Sequence, residues 1–244
     1  MIRTFAPALP LALLLASVAA PAFAQSEPPE EVLANYGGSS WAFAAGVGSD
    51  NRSKDVSKSD GEAYVWGQAE WSSASGAFYA GPSFETIKGS TGSELELELT
   101  AGYRPQVWGF DLDLNVAHKW QVDANPGADD QAWEFTADVS RSIGPAAARL
   151  RFQHSPDGTG ATENWTWVEA RIGWDFTDKL TGTAAIGRRD QDAAVDYSGW
   201  NIGLTYDLTQ DLEFDLRWHD NDAHITTPDE RYDSALVAGL NLYF

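Results

Sequence analysis

Glu94-Leu95-Glu96-Leu97-Glu98-Leu99-Thr100-Ala101-Gly102-Tyr103 alternates carboxylate and leucine without a break before it runs into small residues and a tyrosine. Successive side chains of a strand point to opposite faces of a sheet, so this stretch puts leucines on one face and glutamates on the other. A helix would spread the same residues around its circumference.

The rhythm returns along the chain. Phe110, Leu112, Leu114 and Val116 interleave with Asp111, Asp113 and Asn115. Leu212, Phe214, Leu216 and Trp218 interleave with Glu213, Asp215 and Arg217, and the chain closes on Leu236, Ala238, Leu240, Leu242 and Phe244. Strands are predicted near 40–48, 62–72, 77–87, 94–104, 109–121, 132–142, 146–154, 164–175, 180–188, 197–207, 212–219 and 233–244. Short connections at 73–76, 105–108, 143–145, 176–179 and 208–211 alternate with longer polar ones at 49–61, 88–93, 122–131, 155–163, 189–196 and 220–232. Barrels of the outer-membrane type show this asymmetry, with tight periplasmic turns and long outer loops. The predicted fold is therefore all-β, a transmembrane antiparallel up-and-down barrel of about twelve strands over 39–244, with both termini on the periplasmic side. A soluble sandwich is the alternative.

The N-terminus agrees with export. Arg3, an apolar run from Leu11 to Ala20 and Ala22-Phe23-Ala24 ahead of Gln25 make the layout of a cleavable signal peptide over 1–24. The run is too short for a spanning helix. Residues 25–38, with Glu27, Pro28, Pro29, Glu30 and Glu31, read as a flexible periplasmic lead-in.

Composition narrows function. A formal charge of -20 argues against nucleic acid, which selects for Lys and Arg. With no cysteine there is no disulfide and no thiolate metal site. Asp50, Asp55, Asp60, Asp129, Asp130, Asp220, Asp222 and Asp229 enrich the loops, yet none stands in the ordered spacing of a calcium loop, so no metal and no cofactor is expected. Catalysis needs a nucleophile beside a base, and the histidines are His118, His154, His219 and His224. His154-Ser155 beside Pro156-Asp157 faintly suggests a lipid-hydrolysing barrel enzyme, but neighbours on a strand face opposite ways, so no enzyme is expected.

Aromatics gather where interfaces would lie. Trp71, Phe78, Tyr103, Trp108, Phe176, Tyr206, Tyr243 and Phe244 fall near the short-turn ends, and Trp120, Trp133, Trp200 and Trp218 near the long-loop ends. Two girdles at the lipid interfaces are expected of such barrels.

The stretch Gly46-Val47-Gly48-Ser49-Asp50-Asn51-Arg52-Ser53-Lys54-Asp55-Val56-Ser57-Lys58-Ser59-Asp60-Gly61 resembles the first loop of the TorF-type family of proteobacterial outer-membrane porins. Leu95 to Tyr103, the Pro126-Gly127 turn, Ser155-Pro156-Asp157 and the closing Leu240-Asn241-Leu242-Tyr243-Phe244 extend the likeness over the whole mature chain. Two departures stand out: Lys54-Asp55 replaces the family's usual Arg-Gly, and Asn125 stands where an aromatic is common. The resemblance implies an outer-membrane channel without naming a substrate. The terminal Phe244 also looks like the signal read by the barrel-assembly machinery, which with membrane lipid and lipopolysaccharide would be a partner.

If the leucines face lipid, the alternate residues face the lumen, and their charges sort by strand. Glu85, Glu94, Glu96, Glu98, Asp111, Asp113, Glu134 and Asp138 form an expected acidic wall, and Arg149, Arg151, Arg171 and Arg189 a facing basic wall. Such walls select by charge, unless they pair with each other and plug the barrel. Twelve strands give a backbone radius of roughly 12 Å, which leaves a narrow passage after side chains. The sequence thus points to a porin-like channel for small polar solutes or ions, with a closed barrel of structural, adhesion or receptor role as the alternative.

Overall fold

The computed structural model describes residues 40–160, 162–226 and 229–244, and the expected signal peptide and lead-in lie outside them. Twelve strands form the barrel: β1 (Ser40–Gly48), β2 (Tyr64–Ser72), β3 (Phe78–Thr86), β4 (Leu95–Tyr103), β5 (Phe110–Val122), β6 (Gln131–Ile143), β7 (Ala146–Gly158), β8 (Glu163–Thr177), β9 (Leu180–Gln191), β10 (Tyr197–Asp207), β11 (Leu212–Asn221) and β12 (Ala235–Tyr243). Each pairs antiparallel with its sequence neighbours. The sheet closes where β1 meets β12, from Ala44 opposite Tyr243 to Gly48 opposite Gly239. Phe244 extends that seam: its N–H donates to the Phe43 carbonyl at 2.9 Å and its own carbonyl accepts from Phe43. Closure removes the unpaired edges that an open sheet would expose.

The two faces are inverted relative to a soluble protein. Leu150, Ile172, Ile186 and Ile202 are each more than half exposed on the outside, whereas Arg217, Glu70 and Arg171 are buried within. The charged residues of the outer face, Arg141 at the short-turn end and Arg188, Asp190 and Asp220 at the long-loop end, stand away from the middle of the band. This follows from period two alone: the leucines of β4 and β5 take one side and their charged neighbours the other.

Two departures from the expected boundaries have local causes. β7 continues to Gly158 and β8 begins at Glu163, so the connection expected at 155–163 shrinks to 159–162. The register shifts between Ser155 and Gly158, and Pro156, which has no N–H to give to a ladder, sits in that bulge. The first connection, expected as a polar loop, carries a small hairpin in which Arg52 and Ser53 pair with Ser57 and Val56. Its tip, Lys54-Asp55, has positive φ at both residues, 54° and 64°. That is a type I′ pair, which glycine or asparagine adopts more cheaply than these residues do.

Candidate functional site in the barrel lumen

The hairpin of the first connection folds into the barrel and crosses it. At its tip, the buried Asp55 carboxylate accepts from Asn201 Nδ2 on β10 at 2.9 Å and lies 2.8 Å from His219 Nδ1 on β11. Tyr197 Oη donates to the Lys54 carbonyl and Asn221 Nδ2 to that of Asp55. Gly199 completes the seat, since a Cβ there would stand 2.6 Å from Asp55 Oδ2. On the other side Asn51 Nδ2 donates to Glu85 Oε2, and Lys58 pairs with Glu85 and Glu96. Burial opposes the Lys58 charge, but Glu85 and Glu96 outweigh it and hold the ammonium above its ordinary lysine value. Within the hairpin Arg52 donates to Asp50 at 2.6 Å, so its own charges are satisfied.

The lumen below and beside this hairpin is lined by strand residues. Glu85, Glu96, Glu98, Asp113, Glu134 and Asp138 lie on the inner face, as do Arg149, Arg151, Arg171 and Arg189. Glu94 precedes β4 and is exposed, so it lies outside the strand ladder. Asp111 is exposed at the rim, where it accepts from Gln106 Nε2 at 2.7 Å. The arginine arc is not bare. Arg151 binds Asp138 through Nε at 2.9 Å and Nη2 at 2.7 Å, and Arg149 and Arg171 share Glu169 at 2.9 and 3.2 Å. Arg217, further round on β11, donates to Asn201 at 2.9 Å.

Several charged residues of this interior stand outside the expected walls. Arg104, in the turn after β4, swings in to bind Glu70 at 2.8 Å and Asp113 at 2.8 Å and stacks on Tyr79, 3.6 Å from its ring centre. Lys119 lies among Glu96, Glu98 and Glu134 at 3.2–3.6 Å. It was legible as an inward position on β5, one strand from Glu98. Glu169 was likewise legible by parity on β8, between two inward arginine positions. Trp165, Trp167 and Tyr197 are almost wholly buried inside the barrel, with Trp167 lying over Gly187, where a Cβ would be 2.1 Å from its ring.

What stays open is a cavity on the carboxylate side, about 70 Å³ in volume, lined by Glu70, Glu85, Glu96, Glu98 and Glu134 with Lys58 and Lys119. It holds more carboxylates than cations, in a space that takes a few water molecules. Ser53, Lys58, Glu96, Lys119 and Glu134 also line a second, wider space toward the long loops, so the two adjoin beside the hairpin.

The expected interface aromatics Trp71, Tyr103, Trp108, Trp133, Trp200, Trp218 and Phe244 are exposed on the outside, and Trp120 is half-buried there against His118. Trp108 is held out by the Trp108-Gly109 turn, with φ of 54° and 81°. His154 and Ser155 face opposite ways: Ser155 is buried inside, and His154 meets Thr166 across the outer face. Among the described residues no group of His, Asp or Glu could hold a metal ion.

No functionally curated protein matches the chain in sequence. Solved structures do match in fold. The KdgM porin superposes with a TM-score of 0.58 at 9% identity, over 83% of this chain and 99% of its own. The COG4313 outer membrane channel from Pseudomonas putida F1 gives 0.54 at 12% identity, over 88% and 98%. The NanC porin gives 0.51 at 7%, over 84% and 98%. At these identities the likeness carries the architecture, a closed antiparallel barrel of the outer-membrane porin type. The family model that matches residues 34–241 is described as a bacterial protein of unknown function (Gcw_chp), and the chain belongs to that family.

Proposed function

We propose that this protein is an outer-membrane channel for small polar solutes or ions, in which passage runs along the carboxylate side of the lumen past the inward hairpin. The observation that carries this is the cavity beside the hairpin, where five glutamates face two lysines while the arginine side is closed by its own ion pairs. Unlike charges packed face to face fill the lumen, whereas a surplus of one sign needs water or mobile counter-ions to be stable. The passage therefore prefers cations, and its width limits it to small hydrated species.

The apolar outer face supports placement in a bilayer, since charge there is penalised by depth, and the exposed aromatics at both ends suit two interfacial girdles. Lipid and lipopolysaccharide would be the neighbours of that face, and Phe244, exposed at the seam, would be offered to the assembly machinery during insertion. The likeness of the first loop to TorF-type porins belongs to the same reading: that loop is the part lying in the passage.

Conductance of the refolded protein in a planar bilayer tests it. Discrete steps with a reversal potential favouring K⁺ over Cl⁻ are expected. A closed barrel of structural or receptor role, favoured by the hairpin's anchoring on both sides, is the reading to adopt if no steps appear either in the native protein or after the tip anchor is removed.

A further inference from the structure

Above the constriction, the long loops enclose a vestibule of about 370 Å³ whose charge is opposite to that of the cavity beneath. Its walls include Lys54, Lys58, Lys88, Lys119, Arg189 and Arg231, and its carboxylates are Glu96 and Glu134. Six of the chain's sixteen basic residues thus line one space, against two of its thirty-six acidic ones. Glu96 and Glu134 are engaged with Lys58 and Lys119, and the two rim cations are matched by neighbours, Lys88 by Glu62 and Arg231 by Asp229.

Lys54 and Arg189 converge on one aromatic ring. Both lie over the indole of Trp165, with Nζ 4.5 Å and the guanidinium carbon 4.7 Å from the ring centre, so a single buried aromatic positions two cations from opposite elements, the hairpin tip and β9. Among the described residues no carboxylate lies within 4.0 Å of Arg189; its guanidinium shares a hydrogen bond with the Tyr197 hydroxyl, and its Nε is buried without a partner. A guanidinium without a carboxylate partner in a partly buried position is costly, and an oxyanion in the vestibule that Arg189 lines would match its charge. Ser90, Thr159 and Gln191 line the same space.

We infer that the vestibule is a binding site for a small solute bearing a carboxylate or phosphate, held by Arg189 with Lys54 above Trp165. The channel reading gives this site its purpose, but its binding is measurable without conductance. An anion held there is matched to the basic vestibule but stands over a constriction of its own sign, so it is captured at the mouth and enriches the counter-cations that pass beneath it.

The test is calorimetric titration of the full refolded protein in neutral detergent at low salt with succinate and, separately, inorganic phosphate. Saturable binding of either anion is expected, and which one binds identifies the group. Arg189→Gln should weaken it about tenfold, the value of one charge-assisted hydrogen bond, with Arg189→Lys recovering part of it. Arg188→Gln, on the outer face, should leave it unchanged. Heat-modifiable gel mobility verifies that each variant is a closed barrel. Absence of saturable binding by both anions, or binding indifferent to Arg189→Gln in a folded barrel, overturns the inference. Conductance without anion binding would remove this site and leave the channel; binding without conductance would do the reverse.

Discussion

Asp55 shows at the residue scale how a local cost serves a distant contact. A left-handed conformation at a residue with a Cβ is unfavourable by roughly 1–2 kcal/mol, and glycine would avoid it. The carboxylate is what glycine lacks, and here it joins β10 to β11 through Asn201 and His219. Asp55→Gly should relax the turn, release the tip and leave two buried polar groups unmatched, at about 1–3 kcal/mol. Its expected signature is a larger single-channel conductance and faster proteolysis at the hairpin; unchanged conductance would show that the hairpin does not restrict the passage. The ion pairs make a second case. Arg151→Met strands the Asp138 carboxylate beside what was a bidentate partner and should cost about 3–5 kcal/mol in urea unfolding followed by tryptophan fluorescence. The double change with Asp138→Leu should recover most of that loss. Glu96→Gln with Glu98→Gln should move the reversal potential in a KCl gradient toward zero, because both carboxylates line the open side. Asp113 contributes less, being engaged by Arg104 and Tyr79.

At the scale of elements, the strands were legible because one physical rule produced them. Inward and outward residues differ in what they touch, and a one-residue slip would exchange lipid-facing leucines for carboxylates, so β4 and β5 had a single acceptable register. The same rule predicts the cost of violating it. Leu99→Arg, near the centre of β4 on the outer face, should destabilise the folded barrel by about 2–4 kcal/mol in denaturant titration in lipid vesicles, whereas the same change at exposed Trp108 should be nearly neutral. The loops were less legible. The first connection reads as solvated polar chain, yet Asp50, Asn51, Arg52, Asp55, Ser57 and Ser59 are buried, because its charges find partners inside, Asp50 with Arg52 and Lys58 with Glu85 and Glu96. The Pro156 bulge is similar: the sequence marks a break, and only the pairing of β7 with β8 turns it into a continuing ladder.

For the whole molecule, the charge pattern resolves into layers along the barrel axis more than into facing walls. Three of the four arginines expected as an open basic wall, Arg149, Arg151 and Arg171, are neutralised by Asp138 and Glu169, the latter absent from the expected acidic set. Charge surplus survives in two places, negative in the cavity and positive in the vestibule above it. By itself the sequence determined the closed barrel, its strand number and the side each strand residue takes, because period-two alternation and a long-short alternation of connections are local properties. The tertiary structure alone decided which charges remain unmatched. That depends on turns and loops such as Arg104 and the first hairpin reaching across the lumen to strands far away in the chain, and no local pattern records a contact of that kind.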